Sequence, residues 1–268
     1  MTQTMRAVGV AIITGAAGGI GSACVTRLAE AGWPLILCDI SLPRLEERAA
    51  PLRAAGQSVE VLAGDMSDPA ILAQLGEMIG ERQVGAVVHT AGLTPTMADA
   101  ARIMQVNYDV SAQLVELVRP RMAEGGCVVL TASSSAYFVG SPEIDAAIAA
   151  LTSDDSSSLM PFAVSPEMAY PISKRAVIGL VRREAEGFGA RNARIVSISP
   201  GLIDTAAARA EAAASPQVEM MRLKTPLRRF GAPDEIASVA AFLCSAAASF
   251  ISGRDIPVDG GMLVGVGR

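Results

Sequence analysis

An α/β fold with one doubly wound, seven-stranded parallel sheet is predicted by two features of the sequence. Short apolar runs rich in β-branched residues alternate with longer stretches that carry the apolar periodicity of helices. Strands buried on both faces show such continuous apolar runs, and helices between them make neighbouring strands parallel. With 51% hydrophobic and 18% charged residues, the chain has the apolar content of a folded core. We therefore expect residues 1–268 to form a single domain.

The predicted strands and helices alternate along the chain. The strands are expected at residues 8–14, 35–39, 59–63, 86–90, 128–132, 194–199 and 256–258. The helices are expected at residues 20–31, 42–55, 69–82, 98–121, 170–188 and 233–246. Right-handed crossovers wind such a chain into a Rossmann fold, in which ligands bind beyond the carboxyl ends of the strands. Residues that directly follow a strand are therefore the first candidates for function.

A glycine-rich turn at residues 14–21 joins the first strand to the first helix. Gly15, Gly19 and Gly21 allow the backbone to turn sharply and to approach a pyrophosphate. The helix that follows offers free N–H groups and a partial positive charge at its N-terminus. The spacing differs from the GxGxxG fingerprint, so a merely tight strand-to-helix turn is the alternative.

Asp39 ends the second strand and predicts the type of cofactor. A carboxylate at this position accepts hydrogen bonds from an adenosine ribose diol and repels a 2′-phosphate. No Arg or Lys lies in the glycine-rich turn or directly after Asp39. We therefore predict NAD rather than NADP, with a helix-capping role for Asp39 as the alternative.

Polar residues also follow the later strands. Asp65 ends the third strand and is a candidate adenine contact. A run of hydroxyl side chains follows the fifth strand, and Ser133 is placed there to hold a substrate oxygen. Ser134 is the alternative, because strand ends are predicted only to within a residue or two. Asn107 lies in the middle of a long predicted helix, where a poor helix former indicates a polar role.

Tyr170 and Lys174 form the candidate catalytic pair. Their i, i+4 spacing places both on one face of a helix, and Pro171 falls in the first turn of the predicted helix. An ammonium beside a phenol favours the phenolate and lowers its pKa from about 10. Such a phenol can take a proton from an alcohol or return it to a ketone. The Tyr-x-x-x-Lys spacing alone is weak, because many helices carry it by chance.

These residues belong to a larger ordered set that spans essentially the whole chain. The set is Thr14-Gly15-x-x-x-Gly19-x-Gly21, Asp39, Asp65, Ala91-Gly92, Asn107, Ser133, Tyr170-x-x-Ser173-Lys174 and Pro200-Gly201. The segments at residues 229–237, 251–253 and 259–261 add a C-terminal signature. The combination resembles the short-chain dehydrogenase/reductase family.

The resemblance implies a role for each matching position. Tyr170 would be the general acid and base, Lys174 would lower its pKa and bind the nicotinamide ribose, and Ser133 would orient the substrate oxygen. Asn107 would hold a water that links Lys174 to solvent, and Asp65 would contact adenine. The implied cofactor-binding residues are Gly15, Gly19, Ile20, Gly21, Asp39, Asp65, Met66, Ala91, Gly92, Tyr170, Lys174, Pro200, Gly201, Ile203 and Thr205, the last two bracketing the nicotinamide carboxamide.

The sequence departs from the family pattern in three places. His89 and Thr90 replace a usual pair of asparagines, and we expect His89 to be buried and hydrogen-bonded rather than catalytic. An insertion is expected at residues 136–165, before the catalytic helix, and a substrate lid at residues 204–226, with surface excursions as the alternative. The insertion and the short connection at 92–107 are similar to those of bacterial 3α-hydroxysteroid dehydrogenase/carbonyl reductase-type members.

We therefore expect an NAD-dependent oxidoreductase that interconverts a secondary alcohol and a ketone. The expected substrate is apolar and cyclic or hydroxysteroid-like, because several apolar residues are candidates to line the cleft, although they suit an ordinary core equally well. These residues are Phe138, Val139, Met160, Phe162, Ile203, Met220 and Met221. An epimerase or dehydratase that retains NAD, and a non-catalytic nucleotide-binding module, are the alternatives.

Composition restricts the partners and the compartment. A net charge of −5 and basic runs of no more than two residues argue against a nucleic-acid surface. Serines interrupt the longest uncharged stretch, at 236–253, so we expect no membrane span. One histidine and no CxxC motif leave no Cys/His metal site, and apolar surroundings of the cysteines suit a cytoplasmic protein. By analogy with the family, we expect a homodimer or homotetramer.

Overall fold

The predicted doubly wound sheet is present in the computed structural model of the protein, which describes residues 9–152, 154–206, 208–209 and 216–268. The strands are β1 (Val10–Thr14), β2 (Leu35–Asp39), β3 (Val59–Ala63), β4 (Val84–His89), β5 (Met122–Thr131), β6 (Arg194–Pro200) and β7 (Arg254–Val258). They pair in parallel in the order β3-β2-β1-β4-β5-β6-β7. Because the order reverses between β1 and β4, a crevice opens at the carboxyl ends of these two strands.

Helices connect the strands and cover the sheet. They are α1 (Gly19–Glu30), α2 (Leu42–Ala54), α3 (Pro69–Ile79), α4 (Ala100–Met104), α5 (Val110–Val118), α6 (Pro142–Ala149), α7 (Pro166–Gly189), α8 (Pro216–Lys224), α9 (Pro233–Leu243) and α10 (Met262–Gly265). A π-helical turn at Gln105–Asp109 and a 3-10 turn at Ser134–Tyr137 complete the elements near the crevice. Among the residues that the structure describes, no helix is both long and apolar enough to cross a bilayer.

Two apolar layers, one on each face of the sheet, explain the continuous apolar runs of the strands. Ile12 packs with Val87 on one face, whereas its neighbour Ile13 packs with Val88 on the other. Each of these side chains is buried. Successive residues of a strand point to opposite faces, so that a strand covered on both sides has no polar alternation. The predicted fold class is therefore confirmed.

Several predicted boundaries are shifted. The first predicted strand begins at residue 8, which lies outside the described residues, and the structure has β1 from Val10. β5 begins at Met122 rather than at residue 128, because exposed Glu124 and two glycines interrupt the apolar pattern without ending the strand. The helix predicted at 69–82 ends at Ile79, because Gly80 adopts a positive φ of 57°.

The single helix predicted at 98–121 is divided in the structure. α4 and α5 are separated by the π-helical turn, and Asn107 lies in the middle of that turn. The side-chain amide of Asn107 exchanges two hydrogen bonds with the backbone of Leu93, with Oδ1 2.8 Å from the N atom and Nδ2 3.0 Å from the O atom. These bonds hold Asn107 against the connection between β4 and α4. A π-helical turn contains about one more residue than an α-helical turn, and here that wider turn contains Asn107.

The catalytic helix also differs from the prediction. α7 begins at Pro166, four residues before the predicted start at 170, and Ser165 is its N-cap residue. Pro166 therefore takes the first helical position, and Pro171 lies inside the helix rather than in its first turn. The prediction started too late because a second proline was treated as a start signal.

Candidate active site

A cavity of about 580 Å³ occupies the crevice at the carboxyl ends of the strands. It extends from the glycine-rich turn after β1 to the catalytic helix α7. The predicted site residues that line it are Gly15, Gly19, Ile20, Gly21, Gly92, Ser133, Tyr170, Lys174, Pro200, Gly201, Ile203 and Thr205. Five other predicted site residues do not line this cavity: Asp39, Asp65, Met66, Ala91 and Asn107.

The glycine-rich turn has the geometry that a pyrophosphate requires. Gly15 has a positive φ of 66°, and a Cβ atom there would lie 2.7 Å from the backbone N of Ala91. A Cβ atom on Gly21 would lie 2.0 Å from the carbonyl oxygen of Gly15. The N-cap residue of α1, Gly18, supplies no side-chain cap, so the first N–H groups of the helix are left for a ligand. The turn therefore fits the phosphates of a dinucleotide.

Asp39 is held beside this turn. Its Oδ2 accepts a hydrogen bond of 3.0 Å from the N–H of Ala17, and its Oδ1 accepts one of 3.3 Å from the N–H of Ser41. Ser41, not Asp39, is the N-cap residue of α2. A carboxylate has about four acceptor positions, so two bonds leave capacity for a ribose diol.

Arg44 is a residue of the cavity that the sequence reasoning missed. It lies in the first turn of α2, lines the cavity, and donates a hydrogen bond from its guanidinium to the carbonyl oxygen of Ala17. Its position in the first turn of α2, shortly after Asp39, could have indicated this role, because α2 starts at the carboxyl edge of the sheet where Asp39 lies. A basic residue therefore stands near the predicted ribose position after all.

Asp65 is engaged in a different network from the one expected. It accepts hydrogen bonds from the N–H and Oγ of Ser67, at 3.0 and 2.8 Å, and pairs with Arg102 of α4. Burial acts to raise the pKa of Asp65, but the hydrogen bonds from Ser67 and the charge of Arg102 lower it below its usual value. The side chain of the neighbouring Met66 is buried in the core. The adenine contact of Asp65 stays a prediction.

Tyr170 and Lys174 face the cavity together from α7. The ammonium nitrogen of Lys174 lies 5.9 Å from the centroid of the Tyr170 ring and donates a hydrogen bond of 2.9 Å to the carbonyl oxygen of Thr131. Burial lowers the pKa of Lys174 to about 8. The predicted i, i+4 pair is therefore brought together, and its lysine titrates close to neutral pH.

Asn107 supports this pair from behind the cavity. Its Nδ2 also donates to Ser173 Oγ at 3.1 Å, which links the π-helical turn to the catalytic helix. A Cβ atom on Gly92 would lie 3.0 Å from Asn107 Oδ1 and 3.2 Å from Lys174 Nζ, so a side chain at this position would crowd both atoms. The predicted water-binding role of Asn107 is not tested by these contacts, which assign it a place next to Lys174.

His89 and Thr90, which stand where the family pattern has two asparagines, are both hydrogen-bonded to Thr14. His89 is buried, and its Nδ1 lies 2.6 Å from Thr14 Oγ1. Burial, followed by the charge of Lys174, lowers the pKa of His89 to about 3, so the ring is neutral. Thr90 Oγ1 donates to the carbonyl oxygen of Thr14 at 2.7 Å. Both residues thus tie β4 to β1 beside the glycine-rich turn.

Ser133 and Ser134 have different surroundings. Ser133 Oγ accepts hydrogen bonds from the N–H and Oγ of Ser135, at 3.1 and 2.9 Å, which leaves its own O–H as a donor toward the cavity. Ser134 also lines the cavity, but its Oγ donates its hydrogen to the carbonyl oxygen of Pro200 at 2.9 Å. The geometry favours Ser133 as the residue that holds a substrate oxygen.

We expect Ser133→Ala to lower kcat about 100-fold, because one preorganised donor to a reacting oxygen contributes a factor of this order. Ser134→Ala should leave kcat nearly unchanged and destabilise the fold by about 1 kcal/mol, because it removes a buried hydrogen bond. Steady-state kinetics and thermal unfolding of both variants test the assignment. A larger loss of turnover in Ser134→Ala would reverse the two roles.

The apolar candidates divide into two groups. Phe138, Ile203 and Met221 line the cavity, as do Leu93 and Met97. In contrast, Val139, Met160 and Phe162 pack against the core, and Met220 is exposed at the surface. These four residues do not line the cavity. The lid predicted at 204–226 contributes Met221, whereas residues 207 and 210–215 of that range lie outside the described residues.

Comparisons with known proteins agree with this geometry. A family model described as "short chain dehydrogenase" matches residues 9–150, and one described as "Enoyl-(Acyl carrier protein) reductase" matches residues 142–263. The 7alpha-hydroxysteroid dehydrogenase of Escherichia coli K12 is 31% identical over 261 residues, which cover 94% of this chain and 92% of that protein.

Solved structures agree as well. The crystal structure of gox2181 has a TM-score of 0.79 at 26% identity and covers 97% of this chain and 98% of that one. The RhlG/NADP active-site complex of Pseudomonas aeruginosa has a TM-score of 0.74 at 23% identity, covers 98% and 99%, and shows the fold alone. The chain therefore belongs to the short-chain dehydrogenase/reductase family, whose members are oxidoreductases that use NAD or NADP.

Proposed function

We propose that the protein is an NAD-dependent dehydrogenase that interconverts an apolar, cyclic or hydroxysteroid-like secondary alcohol and its ketone. The observation that carries the proposal is the Tyr170–Lys174 pair at one wall of a cavity that several apolar side chains also line. The similarity to a 7alpha-hydroxysteroid dehydrogenase supports the substrate class. NAD rather than NADP is supported by Asp39 beside the glycine-rich turn.

The residues of the chain divide the chemistry among them. A nicotinamide dinucleotide, when bound, supplies the hydride acceptor or donor. Tyr170 takes the proton of the alcohol as a phenolate and returns it to the ketone as a phenol. Lys174 stabilises the phenolate through its charge, and Ser133 donates a hydrogen bond to the substrate oxygen. The proton thus passes between the substrate oxygen and Tyr170 Oη.

The lining of the cavity supports an uncharged substrate. Arg44 and Lys174 are the charged side chains among the described lining residues, and they lie at the ribose end and beside Tyr170. Apolar side chains, including Phe138, Met97 and Met221, line the same cavity. A carboxylate or phosphate on a substrate packed against these side chains would be desolvated without a partner.

A panel of alcohols tests the proposal. Purified protein with NAD should form NADH, followed by its absorbance, with hydroxysteroids or alkyl-substituted cyclohexanols and far more slowly with polyols or hydroxy acids. Polyols oxidised faster than cyclic alcohols would contradict the substrate class. Conversion of substrate without net NADH would instead favour an epimerase or dehydratase, and binding of NAD without any turnover a nucleotide-binding module.

We expect Asp39→Ser to change the cofactor preference. The wild type should prefer NAD, because the Asp39 carboxylate repels a 2′-phosphate, and the variant should lower the ratio of kcat/KM for NAD to that for NADP about 100-fold. Arg44, already at the cavity, would then face the phosphate. Kinetics with both cofactors measure the ratio.

Glu47→Gln, an exposed change on α2, is the matched control and should leave the ratio unchanged. A wild type that prefers NADP would contradict the assignment.

The remaining expectations concern assembly and location. A homodimer or homotetramer and a cytoplasmic location stay predictions, as does the lid function of residues 204–226. Light scattering and fractionation of the expressing cells would test the first two.

A further inference from the structure

The segment 136–165 packs closely on the catalytic helix. Ile144, Ile148 and Leu159 of this segment are buried in the same apolar cluster as the helix α7. A Cβ atom on Gly179 would lie 2.4 Å from Ile148 Cγ2, so the backbone of α7 and the side chain of α6 are in direct contact. These described residues of the segment therefore belong to the core around the active site.

Arg175 joins the near end of the segment to the turn that carries the substrate-binding serine. Its guanidinium donates two hydrogen bonds to Asp145 of α6, at 2.6 and 2.8 Å. It also donates one of 3.1 Å to the carbonyl oxygen of Ala136, which lies in the 3-10 turn capped by Ser133. One side chain, adjacent in sequence to Lys174, thus holds α6 and the Ser133 turn together.

The far end of the segment is joined to the π-helical turn in the same way. Arg183 of α7 donates hydrogen bonds to the carbonyl oxygen of Leu151, at 2.8 Å, and to the hydroxyl of Tyr108, at 3.1 Å. Asp109 Oδ1 accepts a hydrogen bond of 2.9 Å from the N–H of Ser156. Tyr108 and Asp109 directly follow Asn107, so the segment holds the turn that supports Lys174.

We propose that segment 136–165 is a positioning element that fixes the Ser133 turn and the Asn107 turn relative to Tyr170 and Lys174. Arg175 and Arg183 are its positioning residues, because each bonds the segment and one of the two turns at once. The expected effects on turnover rest on the proposed function, whereas the expected effects on the two turns do not depend on it.

Positioning can be separated from stability at this site. The Arg175 and Asp145 side chains are 25% and 50% exposed, and ion pairs of this exposure contribute little to the free energy of unfolding. A change that breaks the pair should therefore leave the unfolding temperature almost unchanged. A small displacement of a catalytic group can nevertheless lower turnover strongly, so kinetics and local backbone protection respond where stability does not.

The experiment compares Asp145→Asn and Tyr108→Phe with Glu46→Gln. The last variant breaks an ion pair of 2.6 Å with Arg53 within α2, which involves no residue of segment 136–165 or of the two turns, and so controls for the loss of an exposed pair. Amide hydrogen exchange is measured on the full chain without cofactor, together with kcat, KM and the unfolding temperature.

Asp145→Asn should speed exchange at 134–137 at least threefold and lower kcat about fivefold to tenfold, with KM for NAD unchanged. Tyr108→Phe should speed exchange at 105–109 to a similar extent.

The outcomes are distinguishable. Faster exchange at the two turns in a protein that oxidises no alcohol would support the positioning element and reject the proposed function. Exchange and kcat of Asp145→Asn and Tyr108→Phe within twofold of Glu46→Gln would overturn the positioning element. A fall in unfolding temperature that parallels the loss of kcat in every variant would also overturn it, because the segment would then stabilise the fold as a whole.

Discussion

Tyr170→Phe is expected to lower kcat/KM for alcohol oxidation by at least about 1,000-fold. The variant removes the group that takes the proton and leaves the ring in place, and general acid–base catalysis contributes a factor of about 100 to 10,000. NADH binding, followed by the fluorescence of the reduced cofactor, should change little, because the glycine-rich turn and Asp39 are untouched. Steady-state kinetics with the best alcohol of the panel measure the effect.

Tyr137→Phe is the matched control for this variant. Its hydroxyl donates to Asp255 at 2.7 Å from the 3-10 turn that Ser133 caps, so its removal should alter kcat/KM by no more than about tenfold, the loss expected when this turn is loosened. Turnover of Tyr170→Phe at the wild-type rate would show that the phenol does not transfer the proton, and the proposed mechanism would then be wrong.

Lys174→Met has the second largest expected effect, and it acts through pH. The ammonium lies 5.9 Å from the centroid of the Tyr170 ring, and at an effective dielectric constant of about 20 a charge about 6 Å from a phenolate stabilises it by about 2.8 kcal/mol. Its loss should lower alcohol oxidation near pH 7 about 100-fold, because the phenolate loses this stabilisation and about 1.4 kcal/mol corresponds to a factor of ten. The rate of the variant should recover as the pH rises, because the phenolate then forms even without the Lys174 ammonium.

The direction in which the pH profile moves distinguishes an electrostatic role from a structural one. In the wild type the ammonium is present below its pKa of about 8 and is lost as the pH rises through that value. The pH at which kcat/KM for oxidation reaches half its maximum should therefore lie higher in Lys174→Met than in the wild type. Arg182→Gln, an exposed change on the same helix, should leave the profile in place. An unshifted profile would assign Lys174 to cofactor binding alone.

The sheet, the cavity and the Tyr170–Lys174 pair were predictable from sequence because they depend on local patterns. Apolar runs require burial on both faces, strand ends in a parallel sheet converge on one edge, and i, i+4 residues share a helix face. Each of these rules needs only the residues of one element. The position of Ser133 at the end of β5 followed in the same way.

Contacts between distant elements were not predictable in this manner. The pairing of Asp65 with Arg102, the π turn at Asn107 and the hydrogen bond of Ser134 to Pro200 each depend on the packing of elements far apart in the chain. Arg44 was overlooked because only residues next to Asp39 were considered. Side-chain reach, rather than sequence distance, decides which groups surround a ligand.

His89, the only histidine of the chain, is bonded to Thr14 at the base of the glycine-rich turn and stays uncharged down to a pKa of about 3. Mild acid therefore cannot break the bond between these two strands by charging the imidazole. The contact between His89 and Thr14 persists under mildly acidic conditions in which an ordinary histidine would become charged and repel Lys174.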